Sequence, residues 1–287
     1  MPEIRAATVD DAEQIFQLLD ARSRAAFGAS EVSRPRVLAE IARSVDDRFV
    51  AFDASGLVGY AHVTPANDVV VAAADAGTAD RLLETVEQRA RERGVPTLEA
   101  AVVAEDESFH ALVGRGGFDQ SRVILRMWRV LDAAVPDASL PEGVSVRTYE
   151  AADSAHVKAL LDEAYAWDPT YAPMEHDAWV DYMTNHDEFD SSLWFLVERD
   201  GRLVACALHW KEQNRRGWLK DIVVREGERG NGVGKSLVRL GLRAYAQRDV
   251  ERVGLKVDAA NPTGAPGLYA REGFVTDQRL EIWRKHL

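Results

Sequence analysis

The same order of apolar and polar patterns occurs twice along the chain. Residues 4–8 alternate like a strand and lead through Asp10-Asp11 into apolar positions at helical spacing, which predicts a capped helix. Residues 146–161 repeat this order, with Ala152-Asp153 at the corner. Each half continues with two apolar runs around a short glycine turn, at 48–61 and 193–208, which predicts a β-hairpin. Each half ends with a helix, a strand, a second helix that closes on Gly-Phe, and a last strand. The repeat predicts two α/β domains, each with a central sheet flanked by helices.

A segment of small and acidic residues separates the two halves. Pro136 and Pro141 within it are typical of an exposed linker, because proline disfavours regular structure and stiffens the chain. We therefore predict a first domain at 1–135, a linker at 136–142 and a second domain at 143–287.

Composition limits the classes of partner. At 287 residues the chain is long enough for two cores, and no apolar stretch is long enough to cross a bilayer. The first residues lack the pattern of an export signal, so we expect a cytoplasmic protein, monomeric or homodimeric, without a membrane partner. The 47 acidic residues exceed the 35 Lys and Arg by 12, which disfavours nucleic acid as a partner because like charges repel. A single cysteine, Cys206, excludes an internal disulfide and a cysteine-based metal site, and we expect no metal.

A glycine-rich turn joins the apolar strand at 218–224 to a helix that starts near Lys235. Glycines at 230, 232 and 234 let the backbone approach a ligand, and the N–H groups of a helix start attract an anion such as phosphate. The spacing fits neither a P-loop, which needs four residues between its first glycine and Gly-Lys-Ser, nor the dinucleotide fingerprint. From the glycines alone, a tight connection without a ligand is the simpler interpretation.

The surrounding residues change that interpretation. Arg229-x-x-Gly232-x-Gly234 resembles the acetyl-CoA pyrophosphate motif of the GCN5-related N-acetyltransferase (GNAT) family. Asn261 after the next strand and Leu268-Tyr269-x-x-x-Gly273-Phe274 near the end follow in the family's order. The resemblance implies two tandem acyl-CoA N-acyltransferase domains, each with a mixed, mostly antiparallel sheet, and an acetyl-CoA-dependent acyltransferase.

The resemblance also implies which residues bind acetyl-CoA. In the family, the strand before the motif separates from its neighbour and pairs with the pantetheine, while the turn holds the pyrophosphate. The implied cofactor-binding residues are Ile222, Val223, Val224, Arg229, Gly230, Asn231, Gly232, Val233, Gly234, Lys235 and Asn261. An Asn before Pro262 is also a common turn residue, so a purely local role for Asn261 stays open.

Tyr269 stands where the family commonly places the general acid that protonates the leaving thiolate. Periodicity alone would make it a tyrosine packed between helix and sheet. Many relatives carry a glutamate as general base early in the strand before the motif, but here that position holds Trp218. Asp221 is the nearest carboxylate on the strand and is the candidate base, with His209 and Glu212 as further possibilities.

The segment that follows the first helix of the second half is dense in aromatic and acidic residues. This composition is typical of a pocket for a cation that carries apolar groups, although a packed pair of helices explains it equally well. The substrate-binding candidates are Tyr165, Trp167, Asp168 and His209.

The first copy lacks the residues that carry the motif. Alignment of the halves places Ala74, Gly77 and Ala79 at the motif positions and Val113 at the position of Tyr269. We expect this copy to keep the shape without catalysis, although backbone groups of residues 69–71 could still hold acetyl-CoA. The tandem arrangement is similar to the mycothiol synthase type of the family. It implies acetyl transfer to a primary amine of a small molecule by direct attack, with a non-catalytic CoA-binding module and a protein N-acetyltransferase as alternatives.

Overall fold

The structure is a computed structural model that describes residues 1–27, 32–43, 45–64, 67–131, 135–168 and 171–287. Residues 132–134, which border the predicted linker, lie outside the described residues. The helices are α1 (Ala12–Phe27), α2 (Arg34–Arg43), α3 (Ala76–Glu92), α4 (Glu107–Arg115), α5 (Ser154–Tyr165), α6 (His176–Thr184), α7 (Val233–Ala246) and α8 (Ala265–Arg271). The strands are β1 (Glu3–Ala6), β2 (Arg48–Asp53), β3 (Gly56–Val63), β4 (Val69–Ala73), β5 (Thr97–Val103), β6 (Asp119–Val130), β7 (Ser145–Thr148), β8 (Trp194–Arg199), β9 (Arg202–Gln213), β10 (Arg216–Val224), β11 (Arg252–Asp258) and β12 (Val275–His286).

An arginine–aspartate pair fixes the first strand-to-helix corner of each half. Arg5 donates hydrogen bonds of 2.8 and 2.7 Å to Asp11, whose carboxylate also accepts the Thr8 backbone N–H. Arg147 and Asp153 form the same pair, with two bonds of 2.7 Å. The corners match at a constant offset of 142 residues (147 − 5 and 153 − 11). Residues of α1 and α5 can therefore be compared one by one.

The chain forms two compact units. Unit 1 comprises Met1–Ile124 and Gln278–Leu287, and unit 2 comprises Leu125–Asp277. β6 therefore starts in unit 1 and ends in unit 2, and β12 does the reverse. This division follows contacts in space rather than order along the chain, and the chain boundary at 136–142 stays a prediction.

Unit 1 contains the strands β1-β2-β3-β4 in antiparallel order. Its β5 pairs antiparallel with the end of β12, from Leu280↔Val103 to His286↔Thr97, and the start of β6 lies on the other side of β12. The core lies between these strands and the helices α3 and α4, with Leu82, Val86 and Leu98 fully buried.

Unit 2 contains the order β7-β8-β9-β10-β11 with the end of β6 beside β11. The pairs from β7 to β10 are antiparallel, and β10 and β11 are parallel. Cys206 and Leu208 of β9 pack in the cluster with α5, whereas Ala205 and Ala207 pack in the cluster with α7. Since alternate residues of a strand face opposite sides, helices cover both faces of this sheet.

The predicted α/β class with mixed, mostly antiparallel sheets flanked by helices is confirmed. Both predicted hairpins form, as β2–β3 and β8–β9. Across the described residues, no helix is both long and apolar enough to cross a membrane.

Candidate active site

β10 and β11 pair only where they begin. Their parallel register runs from Arg216↔Arg252 to Trp218↔Gly254, whereas β10 stays paired with β9 as far as Val224↔Ala205. Within the described residues, 219–224 therefore have no strand partner on the β11 side. Backbone groups on that side are open to an extended ligand, which could pair with them as a strand would. This is the separated strand that the family resemblance implied.

A β-bulge in β10 decides which of its side chains face α5 and which face α7. The register shifts between Leu219↔His209 and Asp221↔Leu208, so Lys220 is the extra residue. Leu219 consequently packs in the cluster with α7, whereas Val223 packs in the cluster with α5. Asp221, two residues before Val223, faces the same side as Val223 and meets α5 there.

Asp221 is buried and bound through both of its oxygens. The Tyr165 hydroxyl donates a 2.6 Å hydrogen bond to Oδ1, and the Lys220 ammonium lies 3.2 Å from Oδ2. Burial, the Asp221 charge and its hydrogen bond raise the pKa of Tyr165 well above its usual value. Asp221 is thus a carboxylate held in one orientation, with a protonated phenol on one side and an ammonium on the other.

Tyr269 lies on α8 with its side chain buried and its ring packed against Phe274, at 5.9 Å between centroids. Burial, and secondly the charge of Asp221, raise the pKa of Tyr269 above its usual value of 10. The phenol is therefore protonated at neutral pH, which is the form that a general acid needs. Asp221 is thus a charged group that influences the Tyr269 phenol, and the catalytic roles of both residues stay predictions.

The helix α7 starts without a side-chain cap. Gly232 is its N-cap residue, with φ at 89°, and Gly230 before it has φ at 81°. Both values lie in the left-handed region, which favours glycine because it has no Cβ. A Cβ added at Gly234 would lie 3.6 Å from side-chain atoms of Leu268 and Val224, an ordinary contact. The first N–H groups of α7 are left for an anion, as a pyrophosphate site requires.

Two cations and one asparagine flank this helix start. Arg229 is exposed, and its Nε donates a 2.9 Å hydrogen bond to the Val224 carbonyl, which ties the turn to the end of β10. Lys235 is exposed in the first turn of α7. The Asn261 side-chain oxygen accepts hydrogen bonds from the backbone N–H and hydroxyl of Thr263, at 3.0 and 2.6 Å. Asn261 thus has a local turn role, and its cofactor contact stays a prediction.

The predicted acceptor segment forms a connected polar cluster beside Asp221. The rings of Tyr165 and Tyr171 lie 5.4 Å apart, and Tyr171 donates a 2.6 Å hydrogen bond to Asp162. These contacts hold the Tyr165 hydroxyl against Asp221. Trp167 is exposed by 37% and Asp168 is half-buried, so both are within reach of a bound molecule.

His209 lies away from that cluster's surface. Its side chain is completely buried on β9, against Phe195 and Tyr245 at 6.0 and 6.2 Å between ring centroids. Neither ring nitrogen has a partner in hydrogen-bond geometry among the described residues. The substrate-binding role predicted for His209 stays a prediction, and burial gives the imidazole no access to an acceptor.

Trp218, at the position where the family resemblance implied a glutamate, has a packing role. Its ring meets Trp128 edge-on at 5.7 Å, and a Cβ added at Gly254 would lie 2.7 Å from either indole. The sequence reasoning missed Lys220, whose only signal was its position next to Asp221. Within the part of the chain that the structure describes, no group of three or more His, Cys, Asp or Glu side chains could hold a metal ion.

Comparison with known proteins adds a family to this geometry. A model of the acetyltransferase (GNAT) family matches residues 158–274. A mycothiol acetyltransferase of Streptomyces coelicolor is 28% identical over 96% of this chain and 92% of its own length. A mycothiol acetyltransferase of Thermomonospora curvata is 31% identical over 76% of this chain and 75% of its own length.

A crystal structure of a GCN5-related N-acetyltransferase from Sphaerobacter thermophilus superimposes on this chain with a TM-score of 0.83. The alignment covers 99% of this chain and 95% of that protein, at 26% sequence identity. Similarity therefore extends over both units and not only over the glycine turn.

Proposed function

The chain belongs to the GCN5-related N-acetyltransferase family, and we propose that it transfers the acetyl group of acetyl-CoA to the primary amine of a small molecule. The observation that carries this proposal is the arrangement around Asp221. The charge of the fixed Asp221 carboxylate raises the pKa of the buried Tyr269 phenol. The same unit has an open edge on β10 and an uncapped start of α7. These parts supply a base, an acid, a thioester site and a pyrophosphate site.

Acetyl-CoA supplies the activated acetyl group. Its pyrophosphate would lie against the first N–H groups of α7, with Arg229 and Lys235 nearby as cations. Its pantetheine would extend along residues 222–224, on the edge of β10 that β11 leaves open. Asn261 follows the end of β11, and a contact with the cofactor is its part in this proposal. A metal ion has no part in this scheme.

Acetyl transfer then needs three proton movements. Asp221, directly or through a water, takes a proton from the acceptor ammonium, and the free amine attacks the thioester carbonyl carbon. As the C–N bond forms, negative charge develops on the carbonyl oxygen, and one backbone N–H of β10 aimed at it would contribute about 3 kcal/mol. The C–S bond breaks, and Tyr269 donates its proton to the departing sulfur. The attacking nitrogen then gives up its second proton, directly or through a water, to the Tyr269 phenolate, which restores the phenol. The products are an acetamide and CoA.

The acceptor would bind beside Asp221. Tyr165, Trp167 and Asp168 offer an acidic and aromatic surface there, which suits an ammonium attached to apolar or ring groups. The relatives named mycothiol acetyltransferase make their acceptor the first amine to test. Trp218 stands where the family resemblance implies a glutamate, and the absence of that carboxylate supports an acceptor other than the amine that mycothiol acetyltransferases acetylate.

Titration calorimetry with acetyl-CoA tests the first half of the proposal. We expect one saturable binding event in the micromolar range. A panel of amines, beginning with the amine that mycothiol acetyltransferases acetylate, then identifies the acceptor through release of the CoA thiol. Absence of acetyl-CoA binding would refute the proposal. Binding with only slow thiol release for every amine would favour a non-catalytic CoA-binding module, and transfer to peptide amines alone would favour a protein N-acetyltransferase.

The substitution Tyr269→Phe tests the acid. Loss of a general acid typically costs 10²–10⁴-fold in rate, so we expect kcat to fall roughly 100-fold or more while the Kd for CoA changes little. Tyr149→Phe removes another buried phenol of the same unit and serves as the matched control. Equal turnover in the Tyr269→Phe and parent proteins would remove Tyr269 from this role.

A further inference from the structure

Unit 1 contains a strand separation like that between β10 and β11. β4 pairs with β3, and β5 pairs with β12. Between β4 and β5 the described residues show one parallel bridge, Asp68↔Glu99, at the start of the two strands. Beyond it the strands diverge. The edge of β4 that faces β5 therefore resembles the edge of β10 along which unit 2 would bind a pantetheine.

In unit 1, however, a side chain of the chain itself lies in that opening. The Arg22 guanidinium, from α1, donates a hydrogen bond to the carbonyl oxygen of Val71 in the middle of β4. It also binds the Asp106 carboxylate through Nε at 3.2 Å and Nη2 at 2.5 Å, and it lies 4.7 Å above the Phe109 ring. A backbone acceptor, a carboxylate and an aromatic face thus hold Arg22 on three sides.

The corresponding position in unit 2 is small. At the constant offset of 142 residues between α1 and α5, Arg22 matches Ala164 (22 + 142 = 164). An alanine cannot reach the strand edge, so this position of α5 places no side chain on the backbone edge of β10. The two units therefore differ at this point by one long cationic side chain.

The phosphate site of unit 1 is also missing. Only Ala74 and Asp75 join β4 to α3, whereas residues 225–232 join β10 to α7. Asp75 is the N-cap of α3, and its carboxylate accepts the Thr78 backbone N–H at 2.9 Å and the Thr78 hydroxyl at 2.6 Å. Asp75 is the N-cap of α3 as Gly232 is the N-cap of α7, so Asp75 is equivalent to Gly232. Sequence alignment had instead placed Gly77 at that position. A carboxylate in that place satisfies the N–H groups and repels a pyrophosphate.

We infer that the cofactor cleft of unit 1 is permanently filled by Arg22, so that the protein binds one acetyl-CoA per chain and unit 1 is a structural partner without a ligand. The number of bound cofactors rests on the function proposed for unit 2. The filled cleft is inferred from the contacts of Arg22 within unit 1 and does not depend on that function. Arg22 takes the place of a ligand by bonding the strand edge that a pantetheine would use.

Hydrogen–deuterium exchange with and without CoA tests separately whether unit 2 binds CoA and whether the cleft of unit 1 is filled. We expect CoA to slow exchange in peptides that cover 222–236 and to leave those covering 69–78 unchanged. Slower exchange at 69–78, or calorimetry showing two CoA molecules per chain, would overturn the inference. Protection at neither segment would count against the function proposed for unit 2 and would agree with a filled cleft in unit 1.

A second comparison tests whether Arg22 is the occupant. Arg22→Ala uncovers the edge of β4 on which Arg22 lies, so water reaches that edge and exchange of the 69–73 amides in the absence of CoA should rise at least several-fold. Arg22→Lys, which keeps a long cationic side chain, should show a smaller rise. Arg24→Ala, an exposed change two residues away, is the control. Unchanged exchange in Arg22→Ala would show that Arg22 does not fill the opening.

Discussion

His209 offers a test in which a function predicted from sequence and a property observed in the structure lead to different results. Its imidazole is completely buried, and burial outweighs the opposing effects of the Leu208 backbone and the Asp221 charge on its pKa. The helix α7 packs directly onto it, because a Cβ added at Gly241 would lie 2.5 Å from His209 Nε2. We expect His209→Leu, an apolar change of similar size, to leave the acceptor KM unchanged.

The cost of protonating His209 sets the size of the expected change in folding stability with pH. Burial lowers the pKa of His209 to about 4 from its usual 6.5, because the interior does not solvate an imidazolium. The unfolded chain therefore takes up a proton as pH falls through 6.5, whereas the folded chain does not until about pH 4. Stability from this group is complete above pH 6.5 and is lost below it. Linkage between these two pKa values gives a loss of about 2 kcal/mol at pH 5.

Urea unfolding at pH 8 and pH 5, followed by tryptophan fluorescence, measures this loss. His209→Leu should lose about 2 kcal/mol less than the parent protein between the two pH values, because it has no imidazole to protonate. His156→Leu, at an exposed position, should keep the parent's pH dependence. The reasoning fails if His209→Leu loses as much stability as the parent. A raised acceptor KM with an unchanged pH dependence would instead support the substrate-binding role.

Three further predictions concern the sites described above. Gly234→Asp should reduce CoA affinity at least tenfold in calorimetry, because it places a carboxylate at the helix start, whereas Gly234→Ala should bind normally; equal affinities would exclude a pyrophosphate there. Tyr165→Phe removes the hydrogen bond that holds Oδ1 of Asp221, so kcat/KM should fall at least several-fold while the Kd for CoA stays the same if Asp221 is the base, and an unchanged kcat/KM would contradict that role. Arg5 lowers the pKa of Asp11 to about 2. The ionised Asp11 therefore stabilises the folded state above pH 4, and this contribution to stability is lost as the pH falls through 2. Asp11→Asn should therefore cost about 1 kcal/mol at pH 7 after screening at the part-exposed Arg5, and no difference in urea midpoint would refute this.

Local signals in the sequence predicted the elements that carry the site. The order strand, glycine turn, helix around Gly232 is confirmed, because positive φ values and a free helix start depend on a few adjacent residues. The corners at Asp11 and Asp153 are confirmed for the same reason. The separation of β10 from β11 followed from the family resemblance and not from hydrophobic pattern.

Long-range features could not be predicted from pattern. The bulge at Lys220 reverses which residues of β10 face α5, and a strand's alternation in sequence does not show where a bulge occurs. His209 reads as a polar residue near a site, whereas tertiary packing buries it. The Arg22–Asp106 pair joins residues on different elements, 84 positions apart in the chain.

The division of β12 between the two units affects how the protein is made. The β5 strand of unit 1 receives its partner only when Gln278–Leu287 leave the ribosome. At about 5–20 residues per second, synthesis of the chain between Ile124 and Gln278 takes on the order of ten to thirty seconds. During that time β5 presents an unpaired edge, which is a template for pairing with other chains. Unit 1, although first to be translated, therefore acquires its full set of strands only after unit 2 has been translated.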